Sequence, residues 1–358
     1  MGLCFLICLP RHRVLVEVSL KPEERKRGVM RGIILADGGP EVGGGHLSRC
    51  RSLACAARDM DMTVRWVVPT EVSSSMRNGD VFRAVESFSV SELEPALEQL
   101  YVDRGNLVIA DGYRFSADAL AWLGERYFLT VVDDYRHLPV ERWASAVLNY
   151  NLGAENIPYG LGASLLLGPG YVPLRPSFRD ASPRDDGFVF FVAGASDIAG
   201  ATSGLVSWYG SDWPPVTVVV GPFVSGVMID SIRETAADKP GLSVLVAPDN
   251  FEVLMARASA VVCTSSVTCY EALALNKPVV VFQVAENQRA IGMSLSDLGW
   301  GQSLGWWSDV SAKGLLGALE RAVPPPPGCV PVDGARRAIE ELSALAGLSQ
   351  ISTRRTGL

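Results

Sequence analysis

From residue 30 onward, short apolar runs alternate with stretches whose apolar positions recur three and four residues apart. The first runs lie at 32–36, 63–68, 107–110, 128–132 and 146–149. Each is rich in β-branched residues and apolar at consecutive positions, the pattern of parallel strands covered by helices on both faces. Residues 46–58 and 116–125 read as helices between them. After the proline-punctuated segment 168–176 and the charged stretch 179–186 the pattern restarts, with strands expected at 188–193, 216–220, 242–247, 260–263 and 278–282. Two successive βα series predict an α/β fold of two doubly wound Rossmann-type domains facing a cleft. The expected units are an N-terminal domain at 30–178, a second domain at 187–323, and a Pro-rich linker, helix and tail at 324–358. The boundary falls near 170–187, and the C-terminal helix is expected at 334–346, packed on one of the domains.

The first 29 residues differ from the rest. Their apolar run at 3–9 is too short to span a membrane, lacks a positive leader and is followed by the charged stretch 21–27. We expect neither signal peptide nor anchor, but a disordered or misassigned extension with the physiological start near Met30. No other run reaches the roughly 18 apolar residues of a membrane span, so no transmembrane segment is expected. A chain of 358 residues is comfortable for two domains, and 48% hydrophobic with 20% charged residues fits a globular protein. The net charge is −7, or −10 without residues 1–29, which argues against nucleic acid as a partner. Seven cysteines at irregular spacing form neither a disulfide framework nor a zinc pattern, and a reducing cytoplasm is the expected compartment.

Two segments carry candidate chemistry. Gly43-Gly44-Gly45-His46 follows the first strand and opens the first helix. A glycine turn there lets backbone approach a ligand, and the helix start aims free N–H groups at anionic oxygens. His46 on that turn, with Arg49 three residues on, suits proton transfer near neutral pH. In the second domain the strand at 260–263 runs into Thr264-Ser265-Ser266-Val267-Thr268, with a helix expected at 269–276. Small hydroxyl residues at such a turn present donors to a phosphate, and Glu271 on the helix accepts from a ribose diol. Helix capping by Ser266 or Thr268, with Glu271 as a first-turn acid, fits the same pattern. Gly194-Ala195-Ser196-Asp197 likewise reads as a turn capped by Asp197 or as a close approach to phosphates. Cys50 and Cys55 read as packing residues, and Trp300, Trp306 and Trp307 as cover for the end of the second sheet.

The order of these motifs, together with Asp111-Gly112-Tyr113, Asp133-Asp134, the segment from Gly168 to Phe178 and Glu286-Asn287-Gln288, resembles one family. It is similar to the UDP-sugar hydrolase of pseudaminic acid biosynthesis and its relatives in spore-coat polysaccharide synthesis, over about residues 31–305. These belong to the GT-B group that includes the glycosyltransferase making lipid II. Ser265-Ser266 stands where many members carry Gly-Gly. The resemblance implies a GT-B-like fold and a nucleotide-sugar substrate, with UDP as the expected nucleotide. It implies cleavage of the anomeric C–O bond with inversion, by water in a hydrolase or by a soluble acceptor in a transferase; a non-catalytic binding protein is the third alternative. His46 is then the general base, with Tyr113 and Asp111 beside it. Gly194, Ser265, Ser266, Val267, Thr268 and Glu271 hold the nucleotide, and Gly44, Gly45, Arg49, Asn287 and Gln288 the sugar. The helix start stabilises the departing diphosphate, so neither a metal nor another cofactor is expected. Asp133 and Asp134 read equally as ligand contacts or as a capping pair, and His137 as a solvated loop histidine.

Overall fold

The computed structural model describes residues 31–347 apart from 40, 41, 43, 78, 104 and 105. The expectations for residues 1–29, for Gly43 and for the tail beyond 347 lie outside the described residues.

The first sheet contains β1 (Arg31–Ala36), β2 (Thr63–Pro69), β3 (Val81–Val85), β4 (Leu107–Asp111), β5 (Phe128–Val132), β6 (Ala146–Asn149) and β7 (Ser164–Leu167). All neighbours pair in parallel, in the order β3-β2-β1-β4-β5-β6-β7. Helices α1 (Gly45–Asp59), α2 (Val90–Gln99) and α3 (Ala117–Gly124) supply crossovers. The second sheet contains β8 (Val189–Val192), β9 (Val216–Val220), β10 (Leu242–Val246), β11 (Ala260–Thr264), β12 (Val279–Gln283) and β13 (Gln302–Trp306), in the parallel order β10-β9-β8-β11-β12-β13. Its helices are α4 (Ala201–Trp208), α5 (Gly226–Ala236), α6 (Phe251–Arg257), α7 (Val267–Ala274), α8 (Arg289–Asp297) and α9 (Ala312–Arg321). The final helix, α10 (Gly334–Leu345), returns to the first domain. There Ala335, Ala338, Ile339 and Leu342 join the core that holds Leu53 and Ala57 of α1.

Both sheets reverse strand order once, between β1 and β4 and between β8 and β11. In open parallel sheets the crevice for a ligand lies beyond the carboxyl ends of the strands at such a switch point. Gly44 and Tyr113 lie in the loops leaving β1 and β4, with His46 in the first turn of α1; Gly194, Ser265 and Ser266 lie in the loops leaving β8 and β11, with Val267 and Thr268 opening α7. The two domains also share a buried junction at which Leu152 N–H donates to Tyr270 Oη at 2.9 Å and the rings of Tyr150 and Tyr270 meet edge to face at 6.0 Å. Such a pair contributes about 0.5–1.5 kcal/mol beyond its buried area. The structure thus fixes one cleft with a switch point on each wall. Among the described residues, no helix is long and apolar enough to cross a membrane.

Candidate active site

One cavity of about 620 Å³ fills the cleft, and every site residue expected from the sequence lines it except Asp111. That residue lies beneath the floor, fully buried at the end of β4. It reaches the cavity through its neighbour: His46 Nδ1 is 2.6 Å from Asp111 Oδ1. Nδ1 is also 2.9 Å from Arg49 Nη2, but it cannot donate to one and accept from the other. Because Arg49 Nη2 already donates to Asp111 Oδ1 at 2.5 Å and Asp134 Oδ2 at 3.1 Å, we assign the Nδ1 proton to the bond with Asp111. The other ring nitrogen, Nε2, is then the basic one, on a side chain that lines the cavity.

Arg49 was expected to touch sugar, and the structure gives it a different occupation. Its side chain is almost wholly buried, and Nε donates to Asp111 Oδ2 at 2.7 Å. Nη1 donates to Asp134 Oδ1 at 2.8 Å and Tyr150 Oη at 2.7 Å. One guanidinium fork therefore ties α1 to the ends of β4, β5 and β6. Burial alone would raise the carboxyl of Asp111. Arg49, and then His46, outweigh it and hold that group well below the usual carboxylate range. Burial opposes ionisation of Asp134 in the same way, and Arg49 again prevails. Tyr113 donates its hydroxyl to Asp134 and packs edge-on against His46, with ring centroids 4.8 Å apart. Burial first, and Asp134 second, push that hydroxyl far above the usual phenol range, so it stays a donor.

The opposite wall presents the start of α7. No side chain caps this helix: Ser266 holds the N-cap position, but its hydroxyl pairs with that of Thr264 at 2.9 Å. The capping alternative is thus corrected, and Val267 and Thr268, expected in a turn, form the first helical positions facing the cavity. Glu271 is not a first-turn acid. It lies one turn further in, buried, with Oε1 accepting from Arg175 Nε at 2.9 Å. Asp197 does act on a helix: its two carboxylate oxygens accept from Ala201 and Thr202 N–H at 2.7 and 3.0 Å, at the start of α4. Gly194 adopts a φ of +87°, which favours glycine, and leaves that turn bare towards the cavity. Gln288, expected on the sugar, has its carbonyl engaged at 2.9 Å by Val284 N–H, while Asn287 Nδ2 crosses the cleft to donate to Tyr113 Oη at 3.0 Å.

Other expectations resolve locally. Asp133 accepts from Arg136 N–H at 2.7 Å and from the Tyr159 hydroxyl, so it organises a turn, whereas Asp134 belongs to the cavity. His137 lies in the loop after β5 as expected but is only partly solvated: its ring packs edge-on against Tyr113 at 5.3 Å, and its side chain is 20% exposed. Cys50 is buried and donates to Asp111 Oδ2 at 3.3 Å, and both Cys50 and Cys55 are free thiols. Trp307 packs between Trp208 and Phe282 behind the second sheet, and Trp300, Trp306 and Trp307 do not line the cavity. Sequence reasoning overlooked Tyr150, Arg175 and Phe223, all of which line the cavity. The proline-flanked Arg175 stood inside a motif read only for its resemblance.

No protein-family model matches the chain, and no curated protein matches it. Solved structures do. The chain is similar to Acinetobacter baumannii MurG, with 13% identity and a TM-score of 0.58 over 88% of this chain and 99% of that one. It is similar to the spinosyn rhamnosyltransferase SpnG complexed with thymidine diphosphate, with 14% identity and a TM-score of 0.59 over 89% and 96%. A third likeness is to S. aureus MnaA bound to UDP, with 14% identity and a TM-score of 0.57 over 89% and 98%. The fold is therefore GT-B-like: two doubly wound Rossmann-type domains facing a cleft.

Proposed function

We propose that the chain is an enzyme acting on a nucleotide-sugar, which moves the sugar from the nucleoside diphosphate to a hydroxyl acceptor with inversion at the anomeric carbon. The observation that carries this reading is the His46–Asp111 pair facing the uncapped start of α7 across one cavity. The diphosphate sits at α7, where backbone donors and the helix dipole stabilise the charge that grows as the C–O bond breaks. Glu271 accepts from the ribose. His46 Nε2 takes the proton of the attacking hydroxyl, and Asp111 holds the imidazolium that results. Arg49 keeps Asp111 ionised for that role. The spinosyn rhamnosyltransferase and its bound thymidine diphosphate support transfer over hydrolysis as the reaction of such a cleft.

Hydrolysis is the second reading, and one observation favours it. The Asn287–Tyr113 hydrogen bond closes the cleft beside His46, a geometry suited to an acceptor as small as water. Incubating the protein with a panel of nucleotide-sugars, with and without candidate acceptors, separates these readings. Diphosphate release that requires an acceptor supports transfer, and equal release without one supports hydrolysis. Absence of release and of nucleotide binding across the panel overturns both.

A further inference from the structure

Arg175 belongs to the segment joining the two sheets, between β7 and β8, yet its guanidinium enters the second domain. Its Nε donates to Glu271 Oε1 at 2.9 Å. Its guanidinium carbon stands 4.7 Å from the ring centroid of Phe251 and 5.0 Å from that of Phe178. A planar cation held by two aromatic faces and a carboxylate has little rotational freedom. Arg175, Phe251 and Glu271 all line the cleft cavity. Glu271 is only 5% exposed and sits on α7, whose uncapped start faces the same space. Burial pushes its carboxyl up, and Arg175 is the cation that opposes the rise.

A diol is recognised by an acceptor whose oxygens are fixed in direction. Glu271 has two oxygens, and Arg175 occupies one of them. We propose that Arg175 is a positioning residue of the nucleotide site: by holding Glu271 Oε1 it turns Oε2 towards the cavity, where it accepts from ribose hydroxyls and selects nucleoside diphosphates that carry them. This rests on the reading of the cleft as a nucleotide-sugar site. In this role Arg175 acts through Glu271, so its effect is confined to ligands with ribose hydroxyls; direct contact of Arg175 with the diphosphate would instead weaken ribose and dideoxy forms alike. Arg175 also comes from the segment between the domains, so the same contact couples that segment to occupancy of the nucleotide site.

The test is calorimetric titration of UDP, CDP, ADP and GDP, followed by the 2′,3′-dideoxy form of whichever binds wild type best. Wild type is expected to prefer the ribose form by about tenfold or more, the scale of a hydrogen bond to a charged group. Arg175→Gln should reduce that preference to within about twofold while leaving affinity for the dideoxy form nearly unchanged. Arg175→Lys, which retains a donor, should restore part of it. A variant carrying both Arg175→Gln and Glu271→Gln should lose no more than Glu271→Gln alone, because both act on one contact. An unchanged preference in Arg175→Gln, an equal loss for both ligands, or additive losses in the double variant would overturn the proposal. If Arg175→Gln fails to fold, the comparison of Arg175→Lys with wild type decides it, and an unaltered preference there counts against the positioning role. Wild type that binds none of these four and no thymidine diphosphate either removes the nucleotide-sugar reading itself, an outcome distinct from failure of Arg175 alone.

Discussion

Asn287 of the second domain donates its side-chain N–H to the hydroxyl of Tyr113 in the first, at 3.0 Å, directly beside His46. The same hydroxyl donates to Asp134, which Arg49 holds. A single phenol therefore links the second domain to the ion network under His46. Asn287 Oδ1 is buried without a hydrogen-bond partner among the described residues, so this side chain is held on the cleft by its Nδ2 contact alone. Asn287→Ala should lower turnover by about 2–10-fold, the scale of one neutral hydrogen bond, while nucleoside diphosphate affinity stays within about twofold. Steady-state rates alongside calorimetry check this; equal loss in both would place Asn287 on the nucleotide instead.

His46→Ala should leave folding intact and reduce turnover by about two to four orders of magnitude, as for a lost general base. The residue sits in the first turn of α1, where alanine is compatible with the helix. Circular dichroism and single-turnover rates on the best nucleotide-sugar provide the check. Turnover within about threefold of wild type would remove His46 from the mechanism.

Arg49→Met should be the most destabilising single change near the site. It leaves Asp111 and Asp134 buried without their cation, and breaking such a pair costs about 3–5 kcal/mol. A loss under about 1 kcal/mol in urea unfolding would show that water or a rearranged neighbour supplies the missing charge. The comparison variant Arg49→Lys keeps the charge but not the fork, and should fall between the two.

Strand content was read from the sequence best where strands are central. The runs at 128–132, 146–149 and 216–220 match β5, β6 and β9 to the residue. The three strands not foreseen, β3, β7 and β13, all lie at sheet edges. The fourth edge strand, β10, was foreseen; in β3 and β13 the apolar signal is weak, because Val81–Val85 includes Arg83 and Gln302–Trp306 is half-buried throughout. In the site, the glycine turn and the hydroxyl-rich turn were legible because switch-point loops have local chemistry. The Arg49 network was not, because its partners Asp111, Asp134 and Tyr150 are 62, 85 and 101 residues away, and no local pattern reports a contact of that separation.

The same network sets the response to acid. Asp111 and Asp134 have folded-state values held below those of the unfolded chain, where aspartate titrates near about 3.9. Their contribution is fully present above about pH 5 and is lost as pH falls through the unfolded value towards the folded one. Glu271 and Asp197 have raised values and the opposite sign: acid relieves their buried charge and offsets part of the loss. The two groups clamped by Arg49 should dominate, because each gains a direct ion pair with it. The urea midpoint of wild type should thus decline from pH 5 to pH 3. In Arg49→Met the two carboxylates keep partners such as His46 and Tyr113 but lose the Arg49 cation, so protonation costs less and the decline should flatten or reverse over the same interval. Parallel slopes in wild type and variant would show that acid sensitivity arises elsewhere and that Arg49 does not govern the ionisation of Asp111 and Asp134.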